Sequence, residues 1–247
     1  MSLLPITAPP PGQAKVDSQI TLPKKTLFLG DCNTSGTPDI EGHAYPELFA
    51  QLTKSSCLNC GHTMTTTREG SQYFDEFYSE DIDTICIQYG LVDSWRTFKY
   101  APYVLYYPDS KSRKLGRKLT KKFKKLCKKF GLNHLFGTEN VVPLDEYRQR
   151  LHAIITSAQS KAIVLIETIP NKDTGRNPDI ERYNALLADL AEHYKHCFLL
   201  PIYDDFAGVM REHYSDPTHL SKTGHRFVAE KLHLLFKDNI LEVTSDA

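Results

Sequence analysis

Apolar residues in this chain follow two different periods. Thr26-Leu27-Phe28-Leu29, Ile82 to Tyr89, Ala162-Ile163-Val164-Leu165-Ile166 and Cys197-Phe198-Leu199-Leu200 are short, nearly unbroken apolar runs. Such runs predict strands buried on both faces, as in parallel sheets. Between them the apolar positions switch to helical spacing. Leu144, Tyr147, Leu151 and Ile154 form one stripe, and Ile180, Tyr183, Leu187, Leu190 and Tyr194 a second. Val228, Leu232 and Leu235 line a final helix, and His43 to Leu52 reads as another. Asn177-Pro178 predicts a helix start, with Asn177 as cap and Pro178 in the first turn. Strands separated by helices imply a three-layer α/β/α sandwich around a central parallel sheet.

Ligands in such folds sit beyond the carboxyl ends of the strands. The sequence places its most reactive residues there. Asp31-Cys32 follows the first strand, Gly90 to Asp93 follows another, and Asp216-Pro217-Thr218-His219 follows the last. Cys32 supplies a nucleophile once deprotonated, an imidazole can take the proton, and a carboxylate can orient the imidazole. His219 and Asp216 are three residues apart, so a turn or first helical turn directs both side chains to one side. Ser221 is positioned to cap the helix that follows.

Gly30-Asp31-Cys32 and Asp216-Pro217-Thr218-His219 resemble the first and last blocks of the SGNH, or GDSL-type, hydrolases. In that family the first block is Gly-Asp-Ser, with serine as nucleophile, and Asp-x-x-His completes the triad. Asn59-Cys60-Gly61-His62-Thr63-Met64-Thr65-Thr66 resembles the second block, with Met64 at the glycine whose amide joins the oxyanion hole. Gln88 to Asp93 resembles the third, with Val92 in place of the asparagine that also donates to the oxyanion. The resemblance spans about Thr26 to Phe236 and implies the flavodoxin-like SGNH hydrolase fold. It implies an acyl-ester hydrolase or O-acyltransferase using a Cys32-His219-Asp216 triad. The amides of Cys32 and Met64 would form the oxyanion hole, and Asp31, Gly90, Val92, Asp93 and Arg96 would lie against the substrate. Gly90-Leu91-Val92-Asp93, a basic segment and Val142-Pro143-Leu144 resemble a subgroup associated with bacterial surface-polysaccharide assembly. A carbohydrate or glycoconjugate substrate follows from that likeness. Loss of the asparagine donor leaves a second reading open, a degenerate carbohydrate- or lipid-binding relative. A third is a transferase using His219 and Asp216 without a covalent step.

Charge changes the picture at one place. Lys plus Arg equals Asp plus Glu over the 247 residues. Yet Lys111 to Lys129 carries eleven basic residues and no acidic one, with Leu115, Leu119, Phe123, Leu126 and Phe130 at helical spacing. This predicts a basic amphipathic insertion at about 108–131, as one helix or two broken near Gly116. Its apolar stripe either packs on the domain, leaving the lysines in water, or faces an anionic membrane surface. No nucleic-acid-binding motif accompanies the charge, so nucleic acid is not expected. Residues 1–25, with five prolines, read as a loosely held arm, and 26–240 as one domain.

Six cysteines, two of them in expected buried strands, suit a reducing compartment better than a disulfide framework. Cys57-x-x-Cys60 is half a zinc site without a partner pair, so no metal is expected, and no cofactor motif is present. Met1 to Pro11 lacks a signal-peptide pattern, which makes a cytoplasmic location the expectation, and the basic stretch Lys111 to Lys129 extends it to the inner membrane face. Trp95 and the tyrosines at 100, 103, 106 and 107 are further candidates for sugar contact.

Overall fold

The structure is a computed structural model and describes residues 22–40, 42–208 and 210–245. The expected arm therefore lies almost wholly outside the described residues.

In chain order the elements are β1 (Lys25–Gly30), α1 (Cys32–Ser35), α2 (Tyr45–Thr53), β2 (Ser56–Gly61), α3 (Thr67–Phe77), β3 (Thr84–Gln88) and β4 (Arg96–Phe98). Then come α4 (Lys111–Lys129), α5 (Leu132–Phe136), β5 (Thr138–Asn140), α6 (Leu144–Ser157) and β6 (Ala162–Ile166). The chain continues with α7 (Asn177–His193), β7 (Cys197–Leu200), α8 (Tyr203–Ala207), α9 (Met210–His213) and α10 (Lys222–Ser245).

Five strands form one parallel sheet in the order β2-β1-β3-β6-β7. Alternate strand residues point to opposite faces, so each strand serves two cores. Leu27, Leu29, Ile85, Ile87, Ile163 and Leu165 meet the apolar stripes of α3, α6 and α7 on one face. Phe28, Cys86, Val164 and Ile166 meet α2 and α10 on the other. Cys57 and Cys60, three apart on β2, fall into these two different cores. No metal-binding cluster of His, Cys, Asp or Glu occurs among the described residues.

The order reverses between β1 and β3, which opens a crevice at their carboxyl ends. The insertion hangs outside the sandwich from a second, antiparallel ladder, with Arg96 opposite Asn140 and Phe98 opposite Thr138. It is one helix through Gly116 rather than two. Its apolar stripe does not pack on the domain. Leu115, Leu119, Phe123, Leu126 and Phe130 are all exposed, from 41% at Phe123 to 65% at Phe130. Only Cys127 of this helix is buried.

Asn177 proves to be the first residue of α7 rather than its cap, and its side chain accepts from the Asn171 N–H instead (2.8 Å). No helix among the described residues is long and apolar enough to cross a membrane.

Candidate active site

β1 ends at Gly30, and Asp31 caps the single turn of α1 by accepting from the Asn33 N–H at 2.9 Å. Cys32 is the first residue of that turn and is buried. The loop after β2 is clamped against this point: Thr65 Oγ1 donates to Gly30 O at 3.1 Å, and so does the His62 N–H at 3.2 Å. The clamp curls the chain so that Met64 adopts φ 64°, a left-handed conformation that glycine takes without cost. The N–H groups of Cys32, Met64 and Asn33 lie on the side of the Cys32 sulfur and favour its thiolate, against burial.

At the other end of the chain, Asp216 organises its own turn. Its Oδ1 accepts from the N–H groups of Thr218 (2.7 Å) and His219 (2.8 Å), and its Oδ2 pairs with His219 Nδ1 at 2.6 Å. Burial alone would raise this carboxyl, but these hydrogen bonds hold it below its ordinary value. Ser221 Oγ accepts from the Gly224 N–H, the cap expected for α10.

Asn33 joins the two loops. Its amide nitrogen donates to Thr218 O at 3.2 Å, and its side-chain oxygen accepts from the Leu220 N–H at 3.1 Å. The residue beside Cys32 thus grips both neighbours of His219. Asn171 Nδ2, donating to Thr218 Oγ1 at 3.2 Å, steadies the same loop from the end of β6. Cys32 and His219 do not hydrogen-bond to each other. The thiol is pushed well up, first by burial and then by the Asp31 carboxylate, against the three N–H groups.

Arg96 is held by Asp179 through two bonds of 2.7 and 3.1 Å. Asp31 and Asp93 are buried and committed to protein groups, so neither carboxylate is presented to a substrate. Burial raises Asp31 to about 7 despite its cap hydrogen bond. It raises Asp93 to about 6, although that side chain accepts from Thr67 N and Oγ1 and from the Gly90 N–H. Asp93 therefore ties the loop after β3 to the start of α3. Gly90 has φ +133°, and a Cβ there would lie 2.6 Å from Thr168 Oγ1, so this position turns the chain and leaves no room for a side chain.

A cavity of about 580 Å³ extends from Met64 and Val92 beneath α4. Its size suits a small ligand. Trp95, Tyr103 and Tyr106 line it, while Cys32 and His219 lie outside its walls. Val92 offers it only an apolar side chain. Tyr100 stands out in solvent, and Tyr107 stacks on Tyr73 at 4.0 Å.

The sequence matches the GDSL-like lipase/acylhydrolase family over residues 28–227. The chain belongs to that family. Its fold is shared with a lipolytic protein of the G-D-S-L family from Desulfitobacterium hafniense (TM-score 0.58, 17% identity, 86% of this chain and 99% of that one). It is also shared with a mutant of Axe2, an acetyl-xylooligosaccharide esterase from Geobacillus (TM-score 0.60, 19% identity, 88% and 96% covered). LAE5, an α/β hydrolase from the metagenome of Lake Arreo, is similar at TM-score 0.59 and 16% identity, with 87% and 95% covered. No curated protein matches the chain in sequence.

Within this GDSL-like frame, sequence reading missed Asn33 and Glu69. Asn33 gave no signal beyond being a polar residue beside the nucleophile position. Glu69 did give one, because Thr66-x-x-Glu69 is a capping box. Glu69 also accepts from Tyr103 Oη (3.0 Å) and the Tyr106 N–H (2.7 Å), which anchors the wall of the cavity to α3.

Proposed function

We propose that this GDSL-like protein hydrolyses or transfers an acyl group on a carbohydrate or glycoconjugate. Cys32 Sγ attacks the ester carbonyl carbon while His219 takes the thiol proton. The carbonyl oxygen becomes an oxyanion facing the N–H groups of Cys32 and Met64. The bond from carbonyl carbon to alcohol oxygen then breaks, and His219 returns the proton to the departing alkoxide. Water, or a hydroxyl of an acceptor, releases the thioester by the reverse steps. Asp216 orients the imidazole and stabilises its charged form. The observation that carries this reading is the paired His219–Asp216 dyad, fastened by Asn33 to the turn bearing Cys32. Proton transfer needs His219 Nε2 to close on the sulfur, and catalytic hydrogen bonds of this kind tighten when substrate binds. The Gly-x-Val-Asp likeness favours a surface polysaccharide or its precursor as substrate.

A second reading, a non-catalytic binding relative, draws support from the raised thiol and from Val92, which lacks a donor. Rates with acetyl esters and thioesters, measured for the parent, Cys32→Ala and His219→Ala, separate the two. Loss in both variants supports the covalent route. Equal background in all three supports the binding module, and loss in His219→Ala alone supports transfer without a thioester.

The exposed face of α4 fits an anionic membrane surface. Leu115, Leu119, Phe123, Leu126 and Phe130 form its apolar stripe, and Lys118, Lys122, Lys125 and Lys129 run alongside at matching spacing. Each such lysine contributes about 1 kcal/mol near anionic lipid. Six free cysteines agree with a cytoplasmic, peripheral location. Sedimentation with anionic but not zwitterionic vesicles is the expected result, and indifference to lipid charge would refute this placement.

A further inference from the structure

The cavity beneath α4 has two chemically different walls. Met64, Val92, Pro102 and Val104 give it an apolar floor, while the inner face of α4 supplies lysines. An amphipathic helix ordinarily buries its apolar stripe, because each Å² removed from water contributes roughly 25 cal/mol. Here α4 does the reverse and turns charge toward the enclosed space.

Three of the other cations of the cavity already have counter-charges, and Lys118 at its rim is exposed to solvent. Lys114 and Arg117 share Asp109 at 2.8 and 2.7 Å, and Arg96 is held by Asp179. Lys121 and Lys124 form no ion pair or hydrogen bond among the described residues. Lys124 is half-buried, and burial lowers its pKa, as expected of an ammonium removed from water without compensation. A neutral sugar ester in this cavity would leave the half-buried Lys124 ammonium uncompensated, whereas an anion would compensate it, with the exposed Lys121 in reach at the edge of the cavity. Lysines are compact point charges that suit a phosphate group.

Resting on the acyl-transfer reading, we propose that Lys121 and Lys124 seat the phosphate of a phosphorylated carbohydrate, with its ester directed past Met64 and Val92 toward Cys32. The phosphate is bound rather than transferred, so no bond to it forms or breaks. The lysines meant here face the cavity and are distinct from the outward row of Lys122, Lys125 and Lys129.

Cys32→Ala protein, which has no nucleophile, permits the test without turnover. Glucose 1-phosphate and glucose are titrated by calorimetry and by fluorescence of Trp95, the only tryptophan of the chain and part of the cavity wall. Glucose 1-phosphate is expected to bind about tenfold or more tighter, and to weaken with added salt. Adding Lys121→Met and Lys124→Met should abolish the preference, Lys124→Arg should keep it, and Lys122→Met on the outer row should not alter it. Equal affinity for the two ligands, no binding of either, or a preference that survives loss of both lysines overturns the proposal. A dead esterase that still prefers the phosphate would sink the acyl-transfer reading and leave this site standing.

Discussion

Asn33 is the residue on which the site turns. It is buried, and both ends of its amide are used across the boundary between α1 and the His219 loop. Alanine at this position leaves the Leu220 N–H without a partner, at a cost of roughly 1–3 kcal/mol. The expected outcome for Asn33→Ala is a fall in melting temperature of about 2–10 °C and a fall in kcat of about tenfold or more with KM little changed. Asn33→Asp keeps the acceptor for Leu220 and should recover part of both; steady-state kinetics with an acetyl ester and thermal melts read the two effects.

The Cys32 thiol is buried beside a carboxylate, which disfavours the thiolate, whereas a serine hydroxyl never needs to ionise before the base takes its proton. Cys32→Ser is therefore expected to raise acetyl-ester turnover, and Cys32→Ser with Val92→Asn to add about 10²–10³ more by restoring an oxyanion donor. A double variant no faster than Cys32→Ser would mean that position 92 does not face the developing charge.

At the scale of elements, α4 separates what a pattern can specify from what it cannot. The apolar stripes of α3, α6 and α7, and of α2 and α10, all meet the sheet, because each of these helices returns across one of its apolar faces. Periodicity alone makes that outcome legible for α6, α7 and α10. α4 has the same kind of stripe, but it is suspended from the β4–β5 ladder, away from the sheet, where it meets Val104, beside Gly116, and Phe98, whose ring lies 6.0 Å from Phe123. The helix is placed by Arg117, which pairs with Asp109, donates to Leu105 O at 2.8 Å and lies over the Tyr106 ring, so its charged side faces inward. Leu115→Gln with Leu119→Gln removes two exposed leucines. The expectation is lost sedimentation with anionic vesicles and a melting temperature unchanged within about 1–2 °C, since exposed sites rarely affect stability. Vesicle binding that persists would show that the stripe is not what engages lipid.

For the whole molecule, three buried groups contribute to the response to pH with opposing signs. Burial holds His225 at about 4, and its Nδ1 accepts from the Tyr45 N–H. Between about 4 and its ordinary value near 6.5 the unfolded chain binds a proton that the folded chain refuses, so falling pH removes stability there. Asp31 and Asp93 are raised to about 7 and about 6, so the folded chain keeps protons that the unfolded chain loses near 4. Rising pH from about 4 to 7 therefore removes stability through these two groups. Asp31→Asn keeps an acceptor for the α1 cap and loses the charge. Thermal melts from pH 4 to pH 8 should show it more stable than the parent at pH 8 and equal to it at pH 4. An equal gain at both ends would mean that the carboxylate charge is not the cause.

Sequence alone determined β1, β3, β6 and β7, the helices α2, α4, α6, α7 and α10, the parallel sheet and the edge where Cys32, the Gly90–Asp93 loop and His219 gather. Each of these follows from periodicity or a short block, which are properties of neighbouring residues. Tertiary structure decided the rest: the grip of Asn33 on Thr218, 185 positions away, the burial that raises the thiol, and the inward charge of α4. These depend on which surfaces meet once the chain has folded, and hydrogen bonds and desolvation between distant segments leave no trace in local spacing.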